Sequence, residues 1–410
     1  MARNTIKIGV PSMEFGTIRC RYEVAGSWAE AFDLSQSFET EYDVDVAGIP
    51  VGIAVVPLLA NVLPMAWIYD AVVEAAVCDA DFLACLPEVK RGYEDMYPMM
   101  RFGGELKVGI VEENRQTSKG SICFFSGGVD AFSTLIQHID ERPVLLTMRG
   151  ADIKLGDSAG WARVREHGEE VARDFDVDFH EVSSTFRTFL CENALTRRVE
   201  ESGDGWWHGF QHGLGILGHA APLAWILKKS TVYIASSNTV ETRLGVTCAS
   251  DPSIDNRVRY CGARVHHDGF EFCRQDKVKS VVRYSHKTDT PVRLRVCWES
   301  EGGSNCCACE KCARTILEVM AEGGDPRKFG FNYDDGQFDK LMLKLRYVVP
   351  IHYPFYYSDA AKASEANGVE LPRSARWILS DSLERICHGP AKRIANFGCR
   401  VFRKFRLLVR

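Results

Sequence analysis

Apolar and polar residues alternate from the start of the chain. TIKIGVPSM and RCRYEVAG have the two-residue period of half-buried strands, and YDVDVAGI continues it. DADFLACLPEVKRGYEDMY changes to a helical period, with Asp79 or Asp81 placed to cap it. GELKVGIVEE returns to a strand, and the polar run NRQTSKG reads as a linker. Residues 1–118 are therefore expected to form an α+β accessory domain.

From Ser121 strands and helices alternate. SICFF, PVLLTMRG, DFHEVSST and TVYIASS read as strands. DAFSTLIQHI, AGWARVREHGEEVARDFD and HGFQHGLGILGHAAPLAWILKK read as the helices between them. This grammar predicts an α/β domain over 119–330, a parallel sheet with helices on both faces. Ligands on such sheets bind at the carboxyl ends of the strands. Residues 331–410 are expected to be a C-terminal helical extension.

Two stretches raise the question of a membrane. Val46 to Tyr69 carries no charge and is long enough to span a bilayer. Pro50, Pro57 and Pro64 each remove a helix hydrogen bond, so buried short elements are expected instead. The tail from Ala391 to Arg410 carries Lys392, Arg393, Arg400, Arg403, Lys404, Arg406 and Arg410 and no acidic residue. Its apolar residues, Phe397, Phe402 and Phe405 among them, fall on one side of a helix. Such a helix either docks on its own domain or lies on an anionic membrane or an acidic partner.

Composition narrows the setting. With 410 residues and 46% of them hydrophobic, the chain can bury at least one full core, and two domains are the default expectation. The net charge of -5 gives no global attraction for nucleic acid. MARNTIKIGV enters strand alternation at once, without a secretory pattern, so the fifteen cysteines are expected as reduced thiols in a cytoplasmic protein.

Two constellations carry chemistry. In FFSGGVDAFS, Gly127 and Gly128 let the backbone approach an anion closely, and the following helix directs its free amides at it. Ser126 offers a hydroxyl; Asp130 can cap the helix and hold a magnesium ion. An ordinary strand–turn–helix junction would look similar. The loop is too short for GxxxxGK[ST] and lacks the dinucleotide spacing GxGxxG. The second constellation is Cys297, Cys306, Cys309 and Cys312, spaced C-x8-C-x2-C-x2-C, which can fold around one tetrahedral zinc. Cys307 competes with Cys306 as the second ligand, and the spacing favours Cys306. An iron–sulfur cluster is the chemical rival. A nucleic-acid zinc knuckle is disfavoured by Glu299, Glu301 and Glu310.

SGGVDAFS resembles the PP-loop of the ATP pyrophosphatases, SGGxDS, with Ala131 in place of the usual hydroxyl residue and Ser133 nearby. Together with the cysteine spacing, it is similar to the QueC family, the 7-cyano-7-deazaguanine synthases, over roughly Ser121 to Met320. The resemblance implies a HUP-type sheet, ATP and Mg2+ as cofactors and a structural Zn2+. It also implies adenylation of a 7-carboxy-7-deazaguanine carboxylate, then attack by ammonia to give an amide and finally a nitrile. Ser126, Gly127, Gly128, Val129, Asp130 and Ser133 would hold the nucleotide, and Ser126, Asp130 and Lys277 would serve catalysis. Looser matches in TVYIASSNTVETR, CASDPSIDNR and FCRQDKVKSV would place Asn238, Asp251, Asp255, Arg274 and Lys277 along the pocket. His208 and His212 in HGFQHG lack an evident third ligand and are expected as helix-face histidines near it.

The chain is longer than a plain QueC-like core at both ends. Larger QueC-like proteins occur in bacterial defence and other specialised clusters, which implies redirection to another amine, including a protein's amino terminus. Expected partners are a small carboxylate, ammonia or an amine, a protein from the same gene cluster, and a second copy of the chain. Ala131 leaves open a non-catalytic ATP-binding assembly subunit.

Overall fold

The computed structural model describes residues 3–115, 117–241, 247–297, 303–349, 351, 353–380, 383 and 386. The basic tail Ala391–Arg410 lies outside the described residues, as does 298–302 between the first two clustered cysteines. The chain divides into two compact units, Met1–Ser126 with Gln137–Glu271, and Gly127–Ile136 with Phe272–Arg410.

The first unit is mixed α/β. Its strands are β1 (Thr5–Ile8), β2 (Ser12–Glu14), β3 (Thr17–Cys20), β4 (Tyr22–Ala25), β5 (Phe38–Tyr42), β6 (Val72–Asp79) and β7 (Glu105–Glu112). They continue with β8 (Ser121–Phe124), β9 (Val144–Arg149), β10 (Phe179–Ser184), β11 (Thr231–Ala235), β12 (Arg259–Tyr260) and β13 (Ala263–Asp268). One sheet has the order β4-β1-β6-β7, and the other, of nine strands, β12-β13-β11-β8-β9-β10-β5-β3-β2. The run β13-β11-β8-β9-β10 is parallel throughout, while β12, β5, β3 and β2 join antiparallel. Residues 1–118 thus supply one sheet and also three edge strands of the other.

β8 opens the parallel run. The chain moves from it through β9 to β10 on one side, then returns to place β11 and β13 on the other. The strand order reverses between β8 and β11, the place where open parallel sheets bind ligands. Ser126 lies just past the carboxyl end of β8.

The uncharged stretch from Val46 forms the helices Val51–Ala54 and Val56–Tyr69, with Leu58, Leu59, Ala60, Val62, Met65 and Ala66 fully buried. No described helix is long and apolar enough to cross a membrane. The segment HGFQHGLGILGHAAPLAWILKK is not one helix: it breaks into a π-helical turn, Trp207–Gln211, and two short helices, Leu214–Leu217 and Ala220–Ile226. Its glycines explain the break, because they sit where Val56–Tyr69 crosses. A Cβ at Gly218 would come 2.5 Å from Ala60 Cβ, and one at Gly215 would come 2.6 Å from Asn61 Oδ1. The strand expected at YDVDVAGI is instead β5, just before it; Val46 and Ile49 are buried without strand pairing.

The second unit is helical. It holds most of Val129–Gln137, then Arg274–Thr288, Glu310–Ala321, Asp335–Tyr347 and Pro354–Ala366. Local chemistry starts these helices. Asp334 and Gln337 close a capping box, Cys273 pairs with Asp276 in another, and Pro354 opens the last helix. Val278, Val281, Ile316, Leu317, Val319, Phe331, Met342 and Leu345 are fully buried at its centre.

Candidate functional site

The loop after β8 has the backbone that its glycines permit. Gly127 has φ 77°, a left-handed conformation costly for any residue with a Cβ. Its carbonyl accepts the Arg295 amide at 2.7 Å, and Phe132 N donates to Gly128 O at 3.0 Å to begin the helix. The amides of the first helical turn therefore follow directly on the glycine pair. Ser126 is exposed, Val129 buried, and Asp130 lies in that first turn with 22% of its side chain exposed.

Asp130 meets two cations from the helix Arg274–Thr288. Lys277 Nζ stands 3.4 Å from Oδ1, and Arg274 Nη1 3.4 Å from Oδ2. Positions 274 and 277 are one turn apart, so one helix face carries both. Burial disfavours the charge on Asp130, but Lys277, Arg274 and Lys311 outweigh it and hold its carboxyl below the usual carboxylate range.

Arg274 is itself fixed from behind. Its Nε lies 3.1 and 3.0 Å from the two Glu318 oxygens, and Nη2 donates to Thr315 Oγ1 at 2.9 Å. Glu318 is 1% exposed; burial pushes its carboxyl up, and Arg274 and Arg314 pull against that. Gln275 completes the anchor by donating to Glu318 O at 3.1 Å and Glu322 Oε1 at 2.8 Å. Asp130, Glu310 and Glu318 thus share this part of the unit with Arg274, Lys277, Lys311 and Arg314. A group that can accept an anion on lysine and arginine while presenting one ionised aspartate suits a metal-bound polyphosphate.

The cysteine cluster lies in the same unit. The sulfurs of Cys297, Cys306, Cys309 and Cys312 all fall within 4.8 Å of one another, a group that can hold a metal ion. Cys297 and Cys309 Sγ are 3.8 Å apart, and Cys306 and Cys312 Sγ 3.9 Å. A tetrahedral ion with metal–sulfur bonds of about 2.3 Å requires sulfur–sulfur edges of about 3.8 Å, so the group fits zinc. The amides of Ala308 and Cys312 point at the sulfurs of Cys306 and Cys309, each at 3.4 Å. Hydrogen bonds from the Cys312 thiol pull the Cys309 thiol down, which favours a thiolate there. Cys307 takes a left-handed backbone, φ 50°, and turns its sulfur towards Asn305 O at 3.9 Å, away from the group. All described cysteines are free thiols.

Asn305 holds this cluster together. Its Oδ1 accepts from the amides of Val296 (2.9 Å) and Cys297 (3.3 Å), while Nδ2 donates to Leu294 O (2.7 Å) and Gly330 O (2.9 Å). No motif in the sequence marks Asn305 for this role. Thr315 and Glu318 are marked only by their helical spacing beyond Cys312, which sets them on one side of that helix.

Other expected pocket residues lie in the first unit, engaged locally. Asp251 caps a short helix, accepting from Ser253 N at 2.8 Å. Asp255 is fully buried, receiving Ser250 Oγ at 2.8 Å beside His267 Nδ1 at 2.8 Å. Asn238 accepts Ser236 Oγ at its backbone carbonyl, at 2.7 Å. His208 is exposed and lies 3.3 Å from Asp204, whereas His212 Nδ1 lies 3.7 Å from Cys248 Sγ, with burial pushing that imidazole down to about 4. In the second unit, Ser133 is buried, 3.4 Å from Ser280 Oγ, and Ala131 is 3% exposed.

Comparison with protein-family models, with curated proteins and with solved structures finds no match to this chain.

Proposed function

We propose that the chain is a QueC-like ligase of the PP-loop type, which adenylates a carboxylate and passes the acyl group to nitrogen. The observation that carries this reading is the meeting of Asp130 with Lys277 and Arg274. Asp130 comes from the SGGVDAFS loop and Arg274 and Lys277 from the FCRQDKVKSV segment, more than a hundred residues away, and ion pairs join the two. The strand order around β8 also matches that of a HUP-type sheet, with Ser126, just past β8, at the reversal point.

ATP is the substrate in this reading, and Asp130 is the carboxylate that would hold Mg2+, which supplies charge neutralisation when bound. A carboxylate oxygen of the acceptor attacks the α-phosphorus, the bond to the bridging oxygen breaks, and pyrophosphate leaves. Ser126 and the amides of Gly127, Gly128 and Val129 would orient the phosphates. Lys277 and Arg274 would take the charge that grows on the departing oxygens. Nitrogen then attacks the acyl carbon and AMP leaves. Nothing in this loop corresponds to the lysine that P-loop enzymes place on a transferring γ-phosphoryl group. The four-cysteine group would hold zinc as a structural ion in a cytoplasmic enzyme. The acceptor acid is taken as 7-carboxy-7-deazaguanine-like and the nitrogen as ammonia, an amine or a protein amino terminus.

Ala131 favours a second reading, a non-catalytic assembly subunit, because Ser133 lies against Ser280. One assay separates the two. Incubation with ATP, magnesium and the deazaguanine acid should release AMP and pyrophosphate, dependent on the acid and on Asp130. Release of ADP and phosphate would overturn the ligase, and nucleotide binding without turnover would favour the assembly subunit.

A further inference from the structure

Arg314 lies in the helix Glu310–Ala321 and is 8% exposed. Its Nε is buried and has no hydrogen-bond acceptor among the described residues. The approach to Glu310 Oε2 is 3.9 Å, beyond hydrogen-bonding range. Its guanidinium carbon instead lies 4.3 Å from the centre of the Tyr356 ring.

A guanidinium has five donors and stays charged, so burying one without acceptors is unfavourable. Arg274 shows the ordinary solution close by. It lies 6.0 Å from the same Tyr356 ring, and each of its three nitrogens has an acceptor, in Glu318, Asp130 and Thr315. Arg314 makes no such hydrogen bonds among the described residues, although Glu310 and Glu318 offset its charge, and its donors suit an acceptor that a ligand would bring.

Three observations select the anion. Tyr356 lies over one face of the guanidinium, and the paired donors of a guanidinium match a planar two-oxygen group. The ring of Tyr356 continues into Phe355 at 4.3 Å and Tyr353 at 6.0 Å, and these two are 38% and 43% exposed. Such a run of open rings suits a flat apolar body, not a phosphate chain. Glu310, fixed by Tyr357 Oη at 3.0 Å, repels a multiply charged phosphate more than a singly charged carboxylate.

We propose that Arg314 and Tyr356 form the receptor for the carboxylate of a planar aromatic acid, with Phe355 and Tyr353 beside its ring. This rests on the carboxylate-activation reading and places the acceptor's anchor in the second unit. Tyr356 belongs to the extension beyond the QueC-like span, so the extension selects the acid.

The test is equilibrium binding without ATP, using indole-3-carboxylate and its uncharged counterpart indole-3-carboxamide on the zinc-loaded full-length chain. The carboxylate should bind about tenfold or more tightly than the amide, the worth of a charge-assisted hydrogen bond. Arg314→Gln should erase that preference, Arg314→Lys should restore part of it, and Tyr356→Leu should weaken both ligands. Zinc content and melting temperature identify any variant that has lost its fold; Arg314→Lys then carries the test. A wild type that binds neither ligand, or binds both equally, overturns the proposal. So does an Arg314→Gln variant that keeps the preference, or one that loses affinity for inorganic pyrophosphate alone. Because ATP is absent, these failures leave AMP formation untouched, and a failure to form AMP leaves the binding preference standing.

Discussion

Lys277 brings its ammonium to 3.4 Å from Asp130 Oδ1 while only 3% of its side chain is exposed. Burying an ammonium that deep is costly unless a carboxylate faces it, and Asp130 provides one. The pair forms a unit in which each charge makes the other tolerable.

That coupling is measurable. Asp130→Asn and Lys277→Met should each lower AMP formation by about a hundredfold or more, the range seen when one transition-state charge contact is lost. The double variant should fall little further, because residues acting as a unit are not additive. In stability the cycle should give a coupling of about 1 kcal/mol, kept modest by the part of Asp130 open to solvent. Strictly additive effects in both readouts would show that the two side chains act apart.

The charge on Asp130 has a pH signature. Its folded pKa is depressed, so its contribution to stability is fully present above the unfolded carboxylate value of about 3.9 and is lost as pH falls through the lower folded value. Urea unfolding of wild type and Asp130→Asn should therefore show a constant gap from pH 7 to 5 that closes only at more acid pH. A gap that closes between pH 7 and 5 would mean that the cations do not hold the carboxyl down.

Purified chain should contain one zinc, and Cys309→Ser should lower both metal content and melting temperature, since a closed thiolate site contributes folding energy directly. Cys307→Ser should do much less, because its sulfur points to Asn305 O. Asn305→Ala removes four hydrogen bonds around the ligands and should weaken zinc retention by about 10- to 100-fold without touching a ligand. Zinc analysis after competition with a chelator ranks the variants. Equal losses for Cys307→Ser and Cys309→Ser would contradict this assignment of ligands.

Periodicity made most of the parallel sheet legible. SICFF, PVLLTMRG, DFHEVSST and TVYIASS lie where β8, β9, β10 and β11 form, since buried parallel strands are short, dense apolar runs. β6 went unseen because VVEAAVCD follows an apolar helix without an obvious break and has no clean alternation. The fate of β5, β3 and β2 was also invisible, because pairing partners across a sheet leave no trace in local pattern. Loop and cysteine cluster were legible because their chemistry is compact in sequence. Glu318 and Thr315 were not, since a buried anchor resembles any polar residue on an amphipathic helix.

Glu318 gives the last prediction. It is 1% exposed, receives the guanidinium of Arg274 on both oxygens, and so fixes the arginine that reaches Asp130. Removing one partner of such a pair leaves an uncompensated buried charge, and Glu318→Ala should destabilise the chain by about 3–5 kcal/mol. Glu318→Gln keeps an acceptor for Arg274 and should cost less than half of that. Replacing both, as Arg274→Met with Glu318→Leu, should recover most of the stability, because packed apolar side chains remove the desolvation penalty along with the attraction. The same double variant should nevertheless remain poor in AMP formation, because one of the two cations beside Asp130 is gone. Stability and activity then separate in one protein: chemical denaturation reports the first, and pyrophosphate release the second. A double variant as unstable as Glu318→Ala would show that the pair contributes packing which the apolar side chains cannot replace. Full activity in it would remove Arg274 from the proposed reaction.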